Sequence, residues 1–347
     1  MTLKKIHRVL GLCVAVFWLI QVLTGVLLTF RQEIDNVLVS GPRSAVDTAA
    51  LGRRIESLQR SGAQVTSLWV TDFAVDRFDL RYTDSHGVER LMRMDGAGKN
   101  LRDGLEHAPF GNGGFFRTLT TVHTTLLLGD TGEWIVAASG LLLISNLVLG
   151  LKLAWPRGGR WSRALGWPVS RNTAARVYGI HRALGLWIGI PLLILFAAGF
   201  ALCFDDGLER VLGVERPPPS GAAVVSGVRV SPARALDVAL ARYPGSTLTA
   251  LSMPTAEHGW YRVRVRAPGE LKRMYGTTTV FLSAATGAVL LEYPAGAAPV
   301  ARFLYDAIYP LHTGEMGGLV GRAVLAILGV ALLTMGVFGI RLWLARR

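Results

Sequence analysis

Charge is scarce in this chain of 347 residues: charged side chains make up 18%, against roughly 25% in ordinary soluble domains. Acids are the scarcer sign, 24 Asp plus Glu against 37 Lys plus Arg. With a hydrophobic fraction of 51% and a mean hydropathy of +0.38, a disordered chain is excluded and a soluble enzyme is disfavoured. Two cysteines are too few for a disulfide framework or a cysteine-built metal cluster. Both Cys13 and Cys203 fall in apolar runs, where a thiol behaves as a small hydrophobe. No stretch has the pattern of a nucleotide-binding βαβ unit. The glycine-rich GNGGFF at 111–116 has no strand before it and no lysine, so it is given no phosphate role.

What the chain does have is four long apolar runs. Val9 to Phe30 and Ala183 to Phe204 are uncharged, Trp134 to Trp155 carries only Lys152, and Ala323 to Ile340 continues to Trp343. At 1.5 Å of rise per residue each can cross a hydrocarbon core of about 30 Å, so four spanning helices are expected. The first run is too long for a secretory signal and has no small-residue cleavage site before Arg31 and Glu33. Lys4, Lys5 and Arg8, then Arg157, Arg160, Arg163, Arg171 and Arg176, then Arg341, Arg346 and Arg347 all fall on one side of these spans. That side is expected to be the cytoplasm. Much of the net charge of +13 is then topological, and nucleic acid is not expected as a partner.

The chain reads as a duplication. KKIHRVLGLCVAVFW at 4–18 matches YGIHRALGLWIGIPL at 178–192, and TVHTTLLLGDTGEW at 121–134 is set against PLHTGEMGGLVGR at 310–322. Each half is helix, external segment, helix, which makes the copies parallel repeats about an axis along the membrane normal. The external segments, roughly Arg31 to Arg117 and Asp205 to Arg302, each read as a small α+β domain. The second has a helix over Pro232 to Tyr243 with Ser231 as N-cap, then TLTALSM, GWYRVRVRA and TTTVFLS, closed by a turn at 285–287. The first has a helix near Arg53 to Arg60, then VTSLWV, RFDLRYT and VERLMRM.

The repeat pairs four histidines. His7 and His181 lie at the cytoplasmic ends of the first and third spans. His123 and His312 lie just before the second and fourth, on the outer side and within amphipathic, interfacial sequence. One matched pair per face is what two bis-histidine haems need, since each iron takes an axial imidazole from either side. Gly11 and Gly185, four residues on, share the face of their histidines and leave room for a flat macrocycle. Arg8 and Arg182 suit haem propionates. The bland readings are an interfacial imidazole for each histidine, helix packing for the glycines and positive-inside charge for the arginines. An outer haem would sit near external solvent and its counterpart near a cytoplasmic donor, a layout for outward electron flow. His86, His107 and His258 read as surface residues. Arg262, Arg264 and Arg266 share one strand face, which could attract an anion or lipid headgroups or simply be solvated.

The IHRxLGL starts, the LHT element at 311–313, the WPR at 155–157 and the Ser-Ala-Ala-Thr-Gly-Ala-Val at 283–289 resemble the PepSY-associated transmembrane (PepSY-TM) proteins, with Ser283 in place of the usual Asp. The resemblance implies an α-helical membrane protein whose four transmembrane helices form two parallel TM–PepSY–TM repeats, with two small α+β periplasmic PepSY-like domains. The implied segments are a first helix at 1–30, PepSY-like domain 1 at 31–117, an outer interfacial segment plus second helix at 118–155 and a basic cytoplasmic loop at 156–178. The third helix follows at 179–204, PepSY-like domain 2 at 205–302, and the outer ligand segment, fourth helix and cytoplasmic C-terminus at 303–347. The family includes inner-membrane ferric-siderophore reductases of Gram-negative bacteria that use b-type haems. It thus implies a transmembrane oxidoreductase with two haem b, His7, His181, His123 and His312 as iron ligands, and a ferric siderophore as periplasmic acceptor. With no flavin or nicotinamide domain, the donor is expected to be another protein, a diffusible reductant or the quinol pool. The alternatives are haem-based electron transfer to a periplasmic partner protein, or a membrane-anchored peptide-binding or sensor module without redox activity.

Overall fold

The computed structural model describes residues 2–111, 113–168, 170–220 and 230–345; Asn112 of the glycine-rich stretch and the terminal Arg346 and Arg347 lie outside them. The chain opens with α1 (Leu3–Cys13) and α2 (Ala15–Leu28), followed by α3 (Arg31–Leu38) and α4 (Thr48–Arg60). Strands β1 (Gln64–Val70), β2 (Arg77–Thr83), β3 (Glu89–Asp95) and β4 (Asn100–Leu105) come next, then α5 (Gly114–Thr125) and α6 (Gly129–Ala154). After α7 (Trp161–Leu165), α8 (Thr173–Leu202), α9 (Asp205–Val211) and α10 (Pro232–Arg242) come β5 (Thr247–Ser252), β6 (Trp260–Arg266), β7 (Thr278–Ser283) and β8 (Val289–Tyr293). The chain closes with α11 (Val300–His312) and α12 (Gly318–Leu344). Two compact units result: helical segments Met1–Phe30, Thr118–Leu208 and Ile308–Arg347, and a sheet unit of Arg31–Arg117 and Glu209–Ala307.

Among the described residues three helical stretches are long and apolar enough to cross a membrane: Gly129–Ala154, Thr173–Leu202 and Glu315–Leu344. The first run differs from the single helix expected. It is α1 and α2, bent by 63° around Val14, and only together do they make a fourth span. The composition explains the break: α1 carries Lys4, Lys5 and Arg8, as an interfacial helix does, whereas α2 is apolar but for Gln21 and Thr24. Pro191 sits inside α8, which membrane helices tolerate because neighbouring groups re-satisfy the freed carbonyl. Trp18 Nε1 donates to the Ser139 carbonyl at 3.2 Å, tying α2 to α6.

The sheet unit also differs from two separate small domains. All eight strands form one antiparallel sheet in the order β4-β3-β2-β1-β5-β6-β7-β8, joined where Leu68 faces Leu251. Alternation puts Leu68, Val70, Phe78, Leu80, Leu251, Val263 and Val265 on one face, buried against Leu51 and Ile55 of α4 and Leu236 of α10. Each such side chain contributes about 1.5–3 kcal/mol on burial. The two four-stranded halves share their irregularities: a bulge between Val65 and Ser67 in β1 and one between Leu248 and Ala250 in β5. Their helices share caps, Asp47 accepting from Ala50 N and Ser231 from Arg234 N. Each third strand ends in a side-chain-capped turn. Asp95 accepts from Ala97 N and Lys99 N, and Ser283 from Ala285 N and Thr286 N, so serine does the capping where the PepSY pattern has Asp.

Candidate functional site: two facing histidine pairs

In the helical unit His7 of α1 faces His181 of α8, with ring centres 6.4 Å apart. His123 of α5 faces His312 of α11 at 6.3 Å. An imidazole nitrogen lies about 1.15 Å from its ring centre and binds a first-row metal at about 2.0–2.1 Å, so two imidazoles on opposite sides of one metal have centres about 6.3–6.5 Å apart. Both pairs have that spacing.

Each ring is held by the same device. Nδ1 of His7 lies 3.1 Å from the Asn146 carbonyl, that of His181 3.2 Å from Met335 and that of His312 3.1 Å from Leu195. A carbonyl can only accept, so Nδ1 carries the proton and Nε2 keeps its lone pair. His123 Nδ1 lies 2.9 Å from Thr24 Oγ1, and its ring also bonds the Gln21 backbone. Thr24 gives its own proton to the Ile20 carbonyl at 2.7 Å, so its oxygen is free to accept from the ring. Such bonds fix the orientation and basicity of a metal-binding histidine.

Four residues after each accepting carbonyl comes a glycine against which the ring lies. A Cβ would stand 3.0 Å from His7 at Gly150, 3.1 Å from His123 at Gly25, 2.6 Å from His312 at Gly199 and 3.9 Å from His181 at Gly339. The spacings repeat: 174 residues separate His7 from His181 and Gly25 from Gly199, and 189 separate His123 from His312 and Gly150 from Gly339. These four glycines are absent from the sequence reading, although matching the histidine offsets elsewhere in the chain would have found them. Gly11 and Gly185 have a looser role, since a Cβ there would make ordinary contacts of 3.5 Å with Asn146 and 3.4 Å with Met335.

His7, Arg8, Gly11, His181, Arg182 and Gly185 all line one cavity of about 410 Å³. Arg182 Nε donates to the Ala154 carbonyl at the end of α6, a cation capping a helix C-terminus. The buried Oδ1 of Asn146, in the same wall, has no partner among the described residues. His312 takes the same seat as His123 despite lacking the LLLG spacer. The chain turns after His123 through Leu126 and Leu127, at φ 51° and 62°, and after His312 through Gly314 and Gly318, at 75° and 60°. His107 instead pairs with Glu89 at 2.7 Å, His258 stacks on Trp260 and His86 is exposed in a turn.

A model of the PepSY-associated TM region matches residues 4–346. The chain belongs to this family. Comparison with curated proteins gives no match. Membership in the PepSY-associated TM family agrees with a multi-pass membrane protein and leaves the chemistry to the site. Among the described residues no three His, Cys, Asp or Glu side chains converge. Each histidine pair therefore offers a metal two nitrogens, a donor set that fits a haem iron, whose remaining ligands belong to the macrocycle.

Proposed function

We propose that this PepSY-TM protein is a di-haem b reductase of the bacterial inner membrane, passing electrons from the cytoplasmic side, from a protein or quinol donor, to ferric siderophores in the periplasm. The observation that carries this reading is the recurrence of one geometry, two imidazoles at metal-bridging distance with Nδ1 anchored and Nε2 free. The equal spacings of histidines and glycines support two parallel TM–PepSY–TM repeats, each supplying one ligand to each haem. The basic N-terminus and the 156–178 loop support a cytoplasmic setting for the His7–His181 pair, where Arg8 and Arg182 would serve the propionates. His123 and His312 then hold the periplasmic haem. Haem supplies the one-electron chemistry, while the protein fixes ligand identity, orientation and surroundings.

The test is a reduced-minus-oxidised spectrum of the purified protein with a haemochrome count. Two b haems per chain are expected, falling to one in His7→Ala or His181→Ala and in His123→Ala or His312→Ala. Protein free of haem after expression with ample haem, or haem lost instead in His86→Ala, overturns the assignment.

A further inference from the structure

The sheet unit carries an arginine surface for which the haem reading has no use. On the sheet face opposite the core, three arginines of the first half are paired with acids. Arg93 is held by Asp79 at 2.5 Å and Asp35 at 2.8 Å, Arg102 by Asp35 and Arg81 by Glu106 at 3.0 Å. The shared bulges align the second half with the first. The cross-strand pair Asp79–Arg93 of β2 and β3 has as its counterpart Arg262–Phe281 of β6 and β7, and Arg81–Leu91 has Arg264–Thr279. Where the first half places a carboxylate, the second places another arginine.

Among its described residues, nothing within the second half replaces the missing acid. Among the described residues the Arg264 guanidinium has no hydrogen bond or ion pair; it lies over the Trp69 ring at 6.0 Å. Arg262 gives one N–H to Ser252 Oγ at 3.2 Å, and its buried Nε has no partner. The nearby acids are engaged: Asp306 with Arg302, and Glu270 with the backbone and hydroxyls of Thr277 and Thr278. Burial, with Arg273 and Arg262 as like-charged neighbours, pushes Arg264 down to about 10. A half-buried cation without a counter-charge is costly to keep, and a strand needs no arginine there to pair. Guanidinium forks match carboxylate and phosphate.

We propose that the Arg262–Arg264 face of the second half binds an oxyanion, a carboxylate or phosphate group, which supplies the counter-charge that Asp79 supplies in the first half. The proposal rests on the sheet unit alone and stands apart from the haem reading. The experiment is calorimetric titration of the full-length protein with citrate and with inorganic phosphate, in detergent, in phosphatidylcholine nanodiscs and in nanodiscs containing phosphatidylglycerol. Binding is expected to weaken about tenfold or more in Arg264→Gln, the loss of one charge-assisted bond, and to persist in Arg81→Gln, the matched position of the other half. Equal binding in both kinds of disc identifies a soluble anion as the ligand; binding suppressed by phosphatidylglycerol identifies a headgroup, and either supports the site. No binding of citrate or phosphate in detergent and phosphatidylcholine overturns it, as does equal loss in Arg81→Gln. Without ligand, Arg264→Gln is expected to keep or raise the melting temperature, and a clear fall would make Arg264 a packing residue and sink the proposal. Haem content read on the same samples keeps this outcome separate from the reductase reading.

Discussion

In the helical unit the two halves agree station by station. His7 and His181 rest on carbonyls of Asn146 and Met335, and the glycines behind them lie 189 residues apart. In the sheet unit the backbone register agrees just as closely, yet the side chains on the face opposite the core part company: Asp79 and Arg93 in one half, Arg262 and Phe281 in the other. The difference teaches which positions a shared task binds together. On the proposed haem reading, two ligands to one metal must match in reach and orientation, so a change in either half would damage both. A strand face has no such partner, and one copy is free to lose its acids.

The contrast is broken most severely by Arg93→Ala, which strands Asp79 and leaves Asp35 with Arg102 alone. Removing one member of a buried ionic cluster costs about 3–5 kcal/mol, so thermal unfolding of the purified variant should fall well below wild type, while Arg264→Gln should not. A similar loss at both would erase the distinction between the acid-paired half and the bare one. Next come the histidine seats. Gly199→Ala forces a Cβ to 2.6 Å from His312, whereas Gly339→Ala leaves 3.9 Å to His181. Overpacking of about 1–3 kcal/mol and loss of one haem by haemochrome count are expected of the first, neither of the second.

Smaller effects sharpen the comparison. Leu127, left-handed and exposed, occupies a turn made by glycines in the other half. Leu127→Gly should raise stability by about 0.5–1 kcal/mol, seen as a higher melting temperature, and Gly314→Leu should do the reverse. The smallest effect is in pH. Burial pushes Asp35 up, but Arg93 and Arg102 outweigh it and hold the carboxyl below the usual aspartate range. A depressed acid gives stability that is complete above the unfolded value, about 3.9, and lost as pH falls through the lower native one. Asp35→Asn should therefore flatten the drop in melting temperature between about pH 5 and pH 3; an unchanged drop would free Asp35 of this role.

Much of this was legible in the chain. Apolar runs of helical length marked three spans, and alternation in RFDLRYT and WYRVRVRA marked β2 and β6 because period-two burial is written locally. The bend at Val14 was hidden because the uncharged run beginning at Val9 joins the end of α1 to α2 without a proline. The union of β1 with β5 brings Leu68 to Leu251, and no local pattern says which strand edge will be covered by another segment. The histidines were found by their repetition. Their glycine seats were not, because a ring and the glycine beneath it lie on different helices.

Those seats also bear on assembly. His7 docks on α6 and His123 on α2, all within the first half; His181 docks on α12 and His312 on α8, all within the second. Among the described residues, neither half borrows from the other a hydrogen bond to a ring Nδ1. Each can therefore set its own two imidazoles before the halves meet, and the pairs His7–His181 and His123–His312 span the seam. A haem held there, as proposed above, would be a rivet between two prefabricated leaves, so co-expressed halves of the chain should find each other best when haem is plentiful.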